Sequence, residues 1–432
     1  MAYIRQAELP NLKNYRYSGV DHSLISYYVL KPFYNNVVIK CFPMRMAPNL
    51  ITLSGFGFII INVLTLFYYN PTLDHDCPPW VYVSWAVGLF LYQTFDAVDG
   101  AQANSRRTHQ SGPLGELFDH GVDALNTSLG VLIFAASLNL GMGWKTIMAL
   151  FSAQLTFYVQ TWEEYHTKTL TLGIVNGPVE GVLILISIYL FTAFKGGASF
   201  WQQSVFDAIG IKGPVSFPSR VNNLIFNDLF LIQGALVLII NIIQSCVLQL
   251  PPLSQNVLEL SKSSSINVVQ VRKARGEKSR VALRGILPFA TTWTLISIYL
   301  YLNQKILYHN LVPFIIFTGL VNSYSVGLMI TAHLAQLPFP QSSPLIWPLL
   351  YGIFDSLGPL SQKYLGLGWP SLLCNDEYQV AYCYCMLGCA IGVYGSFVVD
   401  VIVTICDYLD IWCLTIKHPW NEKELSEKKK ST

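Results

Sequence analysis

The chain has 432 residues, of which 52% are hydrophobic and only 12% are charged. Soluble domains carry about 25% charged residues, so this composition excludes a surface that faces water everywhere. The formal net charge of +2 excludes a polybasic nucleic-acid-binding protein, and no nucleic-acid partner is expected. Because nearly uncharged apolar stretches of roughly 20 residues recur along the chain, we predict an all-α polytopic membrane protein.

Residues 1–48 are predicted to form a cytosolic N-terminal segment. They contain no apolar run of the kind found in signal peptides, so the first membrane span is expected to direct insertion. From His22 to Tyr34, apolar and aromatic residues alternate with few charges. This pattern favours an interfacial helix that lies along the headgroups of the bilayer.

About ten membrane spans are predicted, and the basic residues of the loops give their orientation. The loops on the side that holds both termini carry 21 Lys and Arg residues, and the loops on the other side carry 6. By the positive-inside rule, both termini are cytosolic. The predicted spans are Asn49–Tyr69, Trp80–Ala103, Leu114–Leu140, Trp144–Val159, Ile174–Phe194, Leu224–Leu250, Val281–Tyr301, Leu311–His333, Pro344–Leu360 and Val380–Cys406.

Two stretches outside the spans are rich in charge. Residues 251–280 are predicted to be a cytosolic linker, and residues 407–432 a cytosolic tail. Lys429 and Lys430 stand near the end of that tail and resemble the dilysine retrieval signal of endoplasmic-reticulum membrane proteins. The endoplasmic reticulum is therefore the expected membrane, with the Golgi as the alternative.

Carboxylates cluster where the second predicted span ends and the third begins. Each charge inside a spanning helix costs ~2.5–3.5 kcal/mol on insertion scales and usually marks a site. Asp96 and Asp99 are three residues apart, and Asp119 and Asp123 are four apart, so each pair shares one helix face. The short connecting loop makes the two helices antiparallel neighbours, which would bring the four acids to one depth.

Four like charges in a low-dielectric pocket need cations to neutralise them. Ligands that are all oxygen, with no cysteine nearby, suit Mg²⁺ or Mn²⁺, and four carboxylates are enough for two ions. Magnesium keeps positions open for phosphate oxygens, which indicates chemistry on a diphosphate. Gly100, Ala103 and Gly115 remove bulk beside the acids, either to admit a ligand or to let helices pack closely.

These residues resemble the signature of the CDP-alcohol phosphotransferase family. The matching pattern is Asp99-Gly100-x-x-Ala103, Arg106 and Gly115-x-x-x-Asp119-x-x-x-Asp123, with Asp96 at the position of a preceding acid. The stretch PLGELFDHGVD, with Pro48-Asn49-Leu-Ile-Thr and Thr161-Trp-Glu-Glu-Tyr-His166, narrows the resemblance to eukaryotic, notably fungal, choline/ethanolaminephosphotransferases. In one departure, Asn104 and Ser105 separate Ala103 from the arginines, which leaves open whether Arg106 or Arg107 meets phosphate.

The resemblance implies transfer of phosphocholine or phosphoethanolamine from CDP-choline or CDP-ethanolamine to the hydroxyl of diacylglycerol, with release of CMP. Residues 49–250 would form the catalytic core of spans one to six. Residues 281–406 would support homodimerisation and lipid access. The metal ligands would be Asp96, Asp99, Asp119 and Asp123, and the nucleotide-binding residues Asn49, Gly100, Ala103, Arg106, Arg107 and Gly115.

A base must accept the proton of the attacking hydroxyl. The family pattern suggests Asp123, but a carboxylate that ligates metal is a poor proton acceptor. We favour His120, oriented by Glu116 four residues earlier on the same helix face. The alternatives are Asp123 itself, or a His120 that only positions a neighbouring carboxylate.

Other polar residues flank the fifth predicted span. Because the resemblance places this region near the same pocket, they are candidates to meet the head group or the acceptor, beside aromatic rings that bind quaternary ammonium ions. An acid predicted inside the membrane is harder to dismiss than one in a loop. The candidates are Glu163, Glu164, His166, Asn176 and Glu180.

Two other functions compete with this prediction. A secondary transporter also buries acids in membrane helices, but its acids tend to lie near the midplane of repeated halves. A membrane prenyltransferase also binds a diphosphate through metal held by aspartates. The Gly and Ala spacing beside the acids favours the cytidine-nucleotide chemistry.

Overall fold

The computed structural model describes residues 3–104, 112–173, 176–206, 224–246 and 283–418. A helix lies at each of the ten predicted spans. Five helical stretches are long and apolar enough to cross a membrane: Pro48–Tyr69, Gly177–Phe194, Arg284–Leu302, Leu311–Ala335 and Asp376–Leu409. This confirms the predicted all-α polytopic membrane protein, while the count of ten spans stays a prediction.

Twelve helices and two short strands are named here in chain order. The helices are α1 (Leu9–Asn14), α2 (Pro48–Tyr69), α3 (Pro79–Asn104), α4 (Pro113–Ser137), α5 (Trp144–Thr167), α6 (Val182–Phe194), α7 (Phe226–Cys246), α8 (Leu287–Leu302), α9 (Gln304–His309), α10 (Leu311–Ala335), α11 (Ile346–Leu365) and α12 (Asp376–Leu409). The strands are β1 (Gly19–Asp21) and β2 (Leu170–Leu172). A π-helical turn, Gly177–Gly181, leads into α6, and the 3₁₀ turns Ala198–Gln202 and Arg284–Ile286 follow α6 and precede α8.

The bundle is organised around α10. Of the five apolar stretches, α10 is the most buried, with 72% of its most apolar window inside the protein. It packs against α4, α5 and α12, and a helix that is apolar on all sides is expected at such a central place. On the other side of α4, α2 packs along both α3 and α4. The helices α3 and α4 touch each other over a short length only.

The segment that was predicted to be interfacial is helical over residues 26–41, with α-helical and π-helical turns in alternation. One face, including Leu30 and Tyr34, is buried in a small apolar cluster with Ile51 of α2 and Val98 of α3. The other face exposes large side chains, including Tyr28, which is 70% exposed. One packed face and one exposed aromatic face are what we expect of a helix that lies on a membrane.

Asp21 holds the start of this helical segment. It accepts hydrogen bonds from the Ser23 backbone N–H at 2.9 Å and the Ser26 hydroxyl at 2.5 Å, and it forms an ion pair with Lys31 at 3.0 Å. Although burial acts in the opposite direction, these donors hold the pKa of Asp21 below its ordinary value. The charged carboxylate therefore ties the segment to β1.

The N-terminal region is tied to distant parts of the chain. Strand β1 pairs in parallel with β2, in register from Gly19 with Leu170. The Asn11 amide donates to the Ala335 carbonyl at 2.9 Å, at the end of α10. Met46 forms an isolated antiparallel bridge with a residue that follows α12. The N-terminal region thus spans the end of the bundle where α3 ends and α4 begins.

We predict that Gly55→Ala destabilises the contact between α2 and α3. A Cβ at Gly55 would lie 2.9 Å from the Cβ of Phe95, which the backbone of α3 holds in place. Overpacking of this kind costs about 1–3 kcal/mol. The free energy or temperature of unfolding, measured in detergent, should therefore fall.

Gly57→Ala is the matched control, because no neighbouring atom in the described part of the chain lies within 4 Å of a Cβ at that position on the same helix. Alanine is the better helix former, so this variant should be as stable as the wild type or slightly more stable. Equal stabilities of the two variants would contradict the close approach of the two helices.

Candidate active site

Three aspartates meet where α3 and α4 approach each other. Asp96, Asp119 and Asp123 each offer a carboxylate oxygen, and the three oxygens lie within 4.8 Å of one another. Asp123 accepts a hydrogen bond from the Tyr92 hydroxyl, one turn before Asp96 on α3. We call these three residues the three-acid group. It joins one member of the first predicted pair to both members of the second.

Asp99 is not part of the three-acid group. It is buried, and it accepts a hydrogen bond from the Thr52 hydroxyl of α2. It remains near enough to Asp96 to interact with it electrostatically. The structure therefore brings three of the four predicted metal ligands together, and Asp99 as a ligand stays a prediction. The physical reason is that α2 packs against the same end of α3 and offers Asp99 a donor of its own.

The donor set of the three-acid group fits a divalent metal. Asp96 Oδ1 and Asp119 Oδ1 are buried, and neither has a hydrogen-bond partner among the described residues. Unpaired buried carboxylate oxygens are costly unless a cation neutralises them. Ligands that are all oxygen suit a hard ion such as Mg²⁺ or Mn²⁺. The residues of this group could thus hold a divalent cation.

Small residues leave space beside the acids. Among the described residues, no neighbouring atom lies within 4 Å of a Cβ at Gly100, so packing against the described helices does not explain this glycine. At Gly115 the nearest atom is Asn49 Oδ1 at 4.0 Å. The amide nitrogen of Asn49 donates to the Cys413 carbonyl at 3.1 Å, and Ala103 is buried. Arg106 and Arg107, the predicted phosphate-binding residues, lie outside the described residues.

The partner of His120 differs from the predicted one. His120 Nδ1 lies 3.5 Å from Glu164 Oε2 of α5, and both side chains are buried. Glu116, the predicted orienting residue, acts on His120 through its charge, while its Oε1 faces His333 Nε2 at 3.8 Å. The i,i+4 spacing brought Glu116 near His120 but did not show that α5 supplies a carboxylate at contact distance.

A second buried group is formed by Glu116, Glu164 and His333, whose ligand-type atoms lie within 4.8 Å of one another. We call it the Glu–His cluster. His333 lies near the end of α10, and its Nδ1 is 3.3 Å from Lys168 Nζ. Residues 281–406 were expected only to support homodimerisation and lipid access, whereas His333 of α10 lies beside Glu116. Nothing in the local sequence around His333 indicates that it reaches Glu116.

Two further site residues were missed by sequence reasoning although a local signal existed. Tyr92 lies four residues before Asp96, so the helical spacing places both on one face of α3. Thr52 lies three residues after Asn49, and both face the site from α2. A search for polar side chains one helical turn before Asp96 and one turn after Asn49 would have identified both residues.

The other head-group candidates have mainly structural contacts. Glu180 accepts hydrogen bonds from the Ser23 hydroxyl and from the Asn176 backbone N–H. The Asn176 side chain accepts from the Val179 backbone N–H at 2.8 Å, so it caps the turn before α6. His166 is buried and stacks on Phe339 with ring centroids 6.0 Å apart. Glu163 lies on α5, where it is partly buried.

Comparison with known proteins identifies the class. A family model described as CDP-alcohol phosphatidyltransferase matches residues 45–211, which include α2 to α6 and both groups of the site except His333. Relatives cover nearly the whole chain at more than 30% identity. The chain belongs to the CDP-alcohol phosphatidyltransferase family, and its predicted membership is confirmed.

Several relatives have a name that states an activity. The chain is 35% identical to choline/ethanolaminephosphotransferase 1 of Saccharomyces cerevisiae, over 96% of this chain and 98% of that protein. It is 36% identical to cholinephosphotransferase 1 of the same yeast, over 96% and 98%. It is also 36% identical to choline/ethanolaminephosphotransferase 2 of Arabidopsis thaliana, over 96% and 99%.

We predict that Asp119→Asn weakens divalent-cation binding by about tenfold or more, because it removes a charged oxygen ligand from the three-acid group. Mn²⁺ is a suitable probe, since it takes the same oxygen ligands and its free concentration is measured by electron paramagnetic resonance.

Asp228→Asn is the control for this measurement. Asp228 pairs with Lys145 at 2.7 Å, away from the three-acid group. Equal Mn²⁺ affinity of the two variants would show that the three-acid group does not hold the cation.

Proposed function

We propose that the protein transfers phosphocholine or phosphoethanolamine from the CDP-alcohol to the hydroxyl of 1,2-diacylglycerol, releasing CMP and leaving the phospholipid in the bilayer. The observation that carries the proposal is the three-acid group, which lies where the predicted membrane helices α3 and α4 meet and has unpartnered buried oxygens. The names of the relatives supply the chemistry of the two substrates. A lipid acceptor also explains why the site is built from membrane helices.

Asp96, Asp119 and Asp123 would hold Mg²⁺ or Mn²⁺ at the diphosphate, and Asp99 would complete a site for two ions. When bound, the cations neutralise the phosphate oxygens and the charge that develops on the leaving CMP. Thr52 and Tyr92 orient two of the carboxylates through their hydroxyl groups. The protein thus contributes mainly position and charge.

His120 is the proposed base that accepts the proton of the diacylglycerol hydroxyl. Two carboxylates, Glu116 and Glu164, act on it electrostatically and would stabilise the imidazolium that forms. Asp123 is the weaker candidate, because its oxygens are engaged by Tyr92 and by the proposed cation.

The nucleotide would lie over the open helix surface at Gly100 and Gly115, beside Asn49 and Ala103. Arg106 or Arg107 would meet its phosphates. Glu163 and His166 remain the candidates for contact with the head group or the acceptor. Glu164, Asn176 and Glu180 are assigned structural or positioning roles, because their described hydrogen bonds and ion pairs are within the protein.

We further propose that both termini are cytosolic in the endoplasmic-reticulum membrane, from the distribution of basic residues and the lysine pair 429–430. Helices within residues 281–406 are the proposed contact of a homodimer. The competing proposals, a prenyltransferase and a secondary transporter, have no support in the family membership.

The direct test adds CDP-choline or CDP-ethanolamine, diacylglycerol and Mg²⁺ to the purified protein. We expect CMP and the matching phospholipid in equal amounts, and no product in EDTA or with Asp96→Asn. Competition between the two CDP-alcohols reports the preference for choline or ethanolamine. Absence of CMP with both donors would overturn the proposal, and product from a prenyl diphosphate would favour the rival transferase.

His120→Gln is expected to lower kcat by about 10²–10⁴-fold, the usual contribution of a general base. Mn²⁺ binding should stay unchanged, because His120 is outside the three-acid group. His309→Gln, at the exposed last residue of α9, serves as the control and should retain full activity. A His120→Gln enzyme with normal kcat would leave Asp123 as the base.

A further inference from the structure

His333 is buried, and it lies outside both the residues that the family model matches and the predicted catalytic core. It is 8% exposed, although it lies near the end of α10. The ring of Tyr15 packs against it edge-on, with centroids 5.9 Å apart. The N-terminal region and α10 therefore meet at this imidazole and hold it beside α4.

The contacts of His333 define which ring nitrogen carries the proton. Lys168 Nζ lies 3.3 Å from Nδ1, and an ammonium group can only donate hydrogen bonds. Nδ1 is therefore the acceptor, and the proton of the neutral ring is on Nε2. The Nε2–H then faces Glu116 Oε1, at a distance of 3.8 Å between the two heavy atoms.

Lys168 is itself held in a defined place. It ends α5 in the left-handed conformation, with φ of 63°, and its backbone N–H donates to the Glu164 carbonyl at 2.8 Å. Its side chain is exposed, so water shares in solvating the ammonium group. It thus orients the imidazole, and its positive charge also acts on Glu116 and Glu164.

Glu116 needs a donor in this environment. It is 7% exposed, and its Oε2 is buried with no hydrogen-bond partner among the described residues. The carboxylate of Glu164 lies close by and repels it. A buried carboxylate without a donor pays a large desolvation penalty. Without His333, the Glu116 side chain would therefore turn away from its place beside His120.

We propose that His333 is a positioning residue for the transfer reaction: its Nε2–H faces Glu116 and keeps this side chain oriented beside His120. The inference rests on the proposed function. It assigns α10, which lies outside residues 45–211, a part in completing the proposed base. A metal in the Glu–His cluster is disfavoured, because the Nε2 that faces Glu116 carries a proton and cannot be a ligand.

The test compares His333→Leu with His333→Gln in the full-length purified enzyme. The two replacements have similar volume, but only glutamine offers an N–H donor. We expect kcat to fall about 10- to 100-fold in His333→Leu, the range for residues that orient a reacting group. His333→Gln should recover most of this loss. KM for CDP-choline and the Mn²⁺ affinity should stay within about threefold of wild type, since neither the nucleotide nor the three-acid group is touched.

Thr331→Val is the matched control on the same helix. Its hydroxyl is buried with no hydrogen-bond partner among the described residues, so the exchange preserves shape and leaves the Glu–His cluster intact. It should retain wild-type kcat. An equal loss of kcat in Thr331→Val and His333→Leu would show a structural effect and overturn the proposal.

A double-mutant cycle with Glu116→Gln separates a direct from an indirect role. If His333 acts through Glu116, adding His333→Leu to Glu116→Gln slows the enzyme no further, within about twofold. Multiplying effects would overturn the proposal, as would normal kcat in His333→Leu. If His333→Leu fails to fold, the kcat of His333→Gln decides. A value as low as that of Glu116→Gln overturns the proposal, and a near-normal value supports it.

The failure of this inference differs from the failure of the proposed function. A wild-type enzyme that forms CMP, together with a fully active His333→Leu variant, overturns only the role of His333. A wild-type protein that forms no CMP from either donor overturns the proposed function itself.

Discussion

Carboxylates inside membrane helices are expensive. At one end of its bundle this protein gathers six acids, five of which lie in predicted membrane spans. The structure deals with them in three ways. The three-acid group leaves two oxygens unpartnered and so presents a cation site, Asp99 takes a hydroxyl donor from α2, and the Glu–His cluster combines two carboxylates with imidazole and ammonium groups. In each case the donor or ligand comes from another helix, so the contacts that pack the helices together also neutralise the acids. The six acids are Asp96, Asp99, Asp119, Asp123, Glu116 and Glu164.

The need to leave space at the acids explains how the helices are arranged. Because α3 and α4 touch over a short length only, an open surface remains at Gly100. The stability that their direct packing would provide comes instead from α2, which lies against both. Close contacts at Gly55 on α2 and at Gly319 on α10, where a Cβ would lie 2.8 Å from Ser128, bind the surrounding helices tightly. The site thus lies between α3 and α4, which the surrounding helices hold apart.

Most of the helices could be predicted from composition and hydropathy. A membrane helix is a long apolar stretch, so its position can be predicted without knowledge of the rest of the chain. All ten predicted spans correspond to helices, and the start of α2, α4, α5 and α10 is within one residue of the prediction. The faces of Asp96, Asp119 and Asp123 followed from helical spacing. Contacts between helices did not follow from it.

The errors at the site share one cause. Helical spacing relates residues within a turn of each other, so it connected His120 to Glu116 and Asp99 to Asp96. It could not show that Glu164 of α5 reaches His120, or that Thr52 of α2 turns Asp99 aside. His333 is more distant still, and only the packing of α10 against α4 brings it to Glu116. Such contacts depend on the rotation of each helix about its axis, which one sequence does not reveal.

The pairing of β1 with β2 and the bond from Asn11 to Ala335 set an order for biogenesis. The ribosome makes the N-terminal region first, yet β2 emerges only after four long helices, and the end of α10 emerges much later. Until then the region lacks these two partners, although residues 26–41 can already pack against α2 and α3. The N-terminal region therefore completes its contacts at this end of the bundle late in maturation. A nascent chain that is arrested before α10 would carry every acid of the three-acid group but would lack the contact between Asn11 and Ala335.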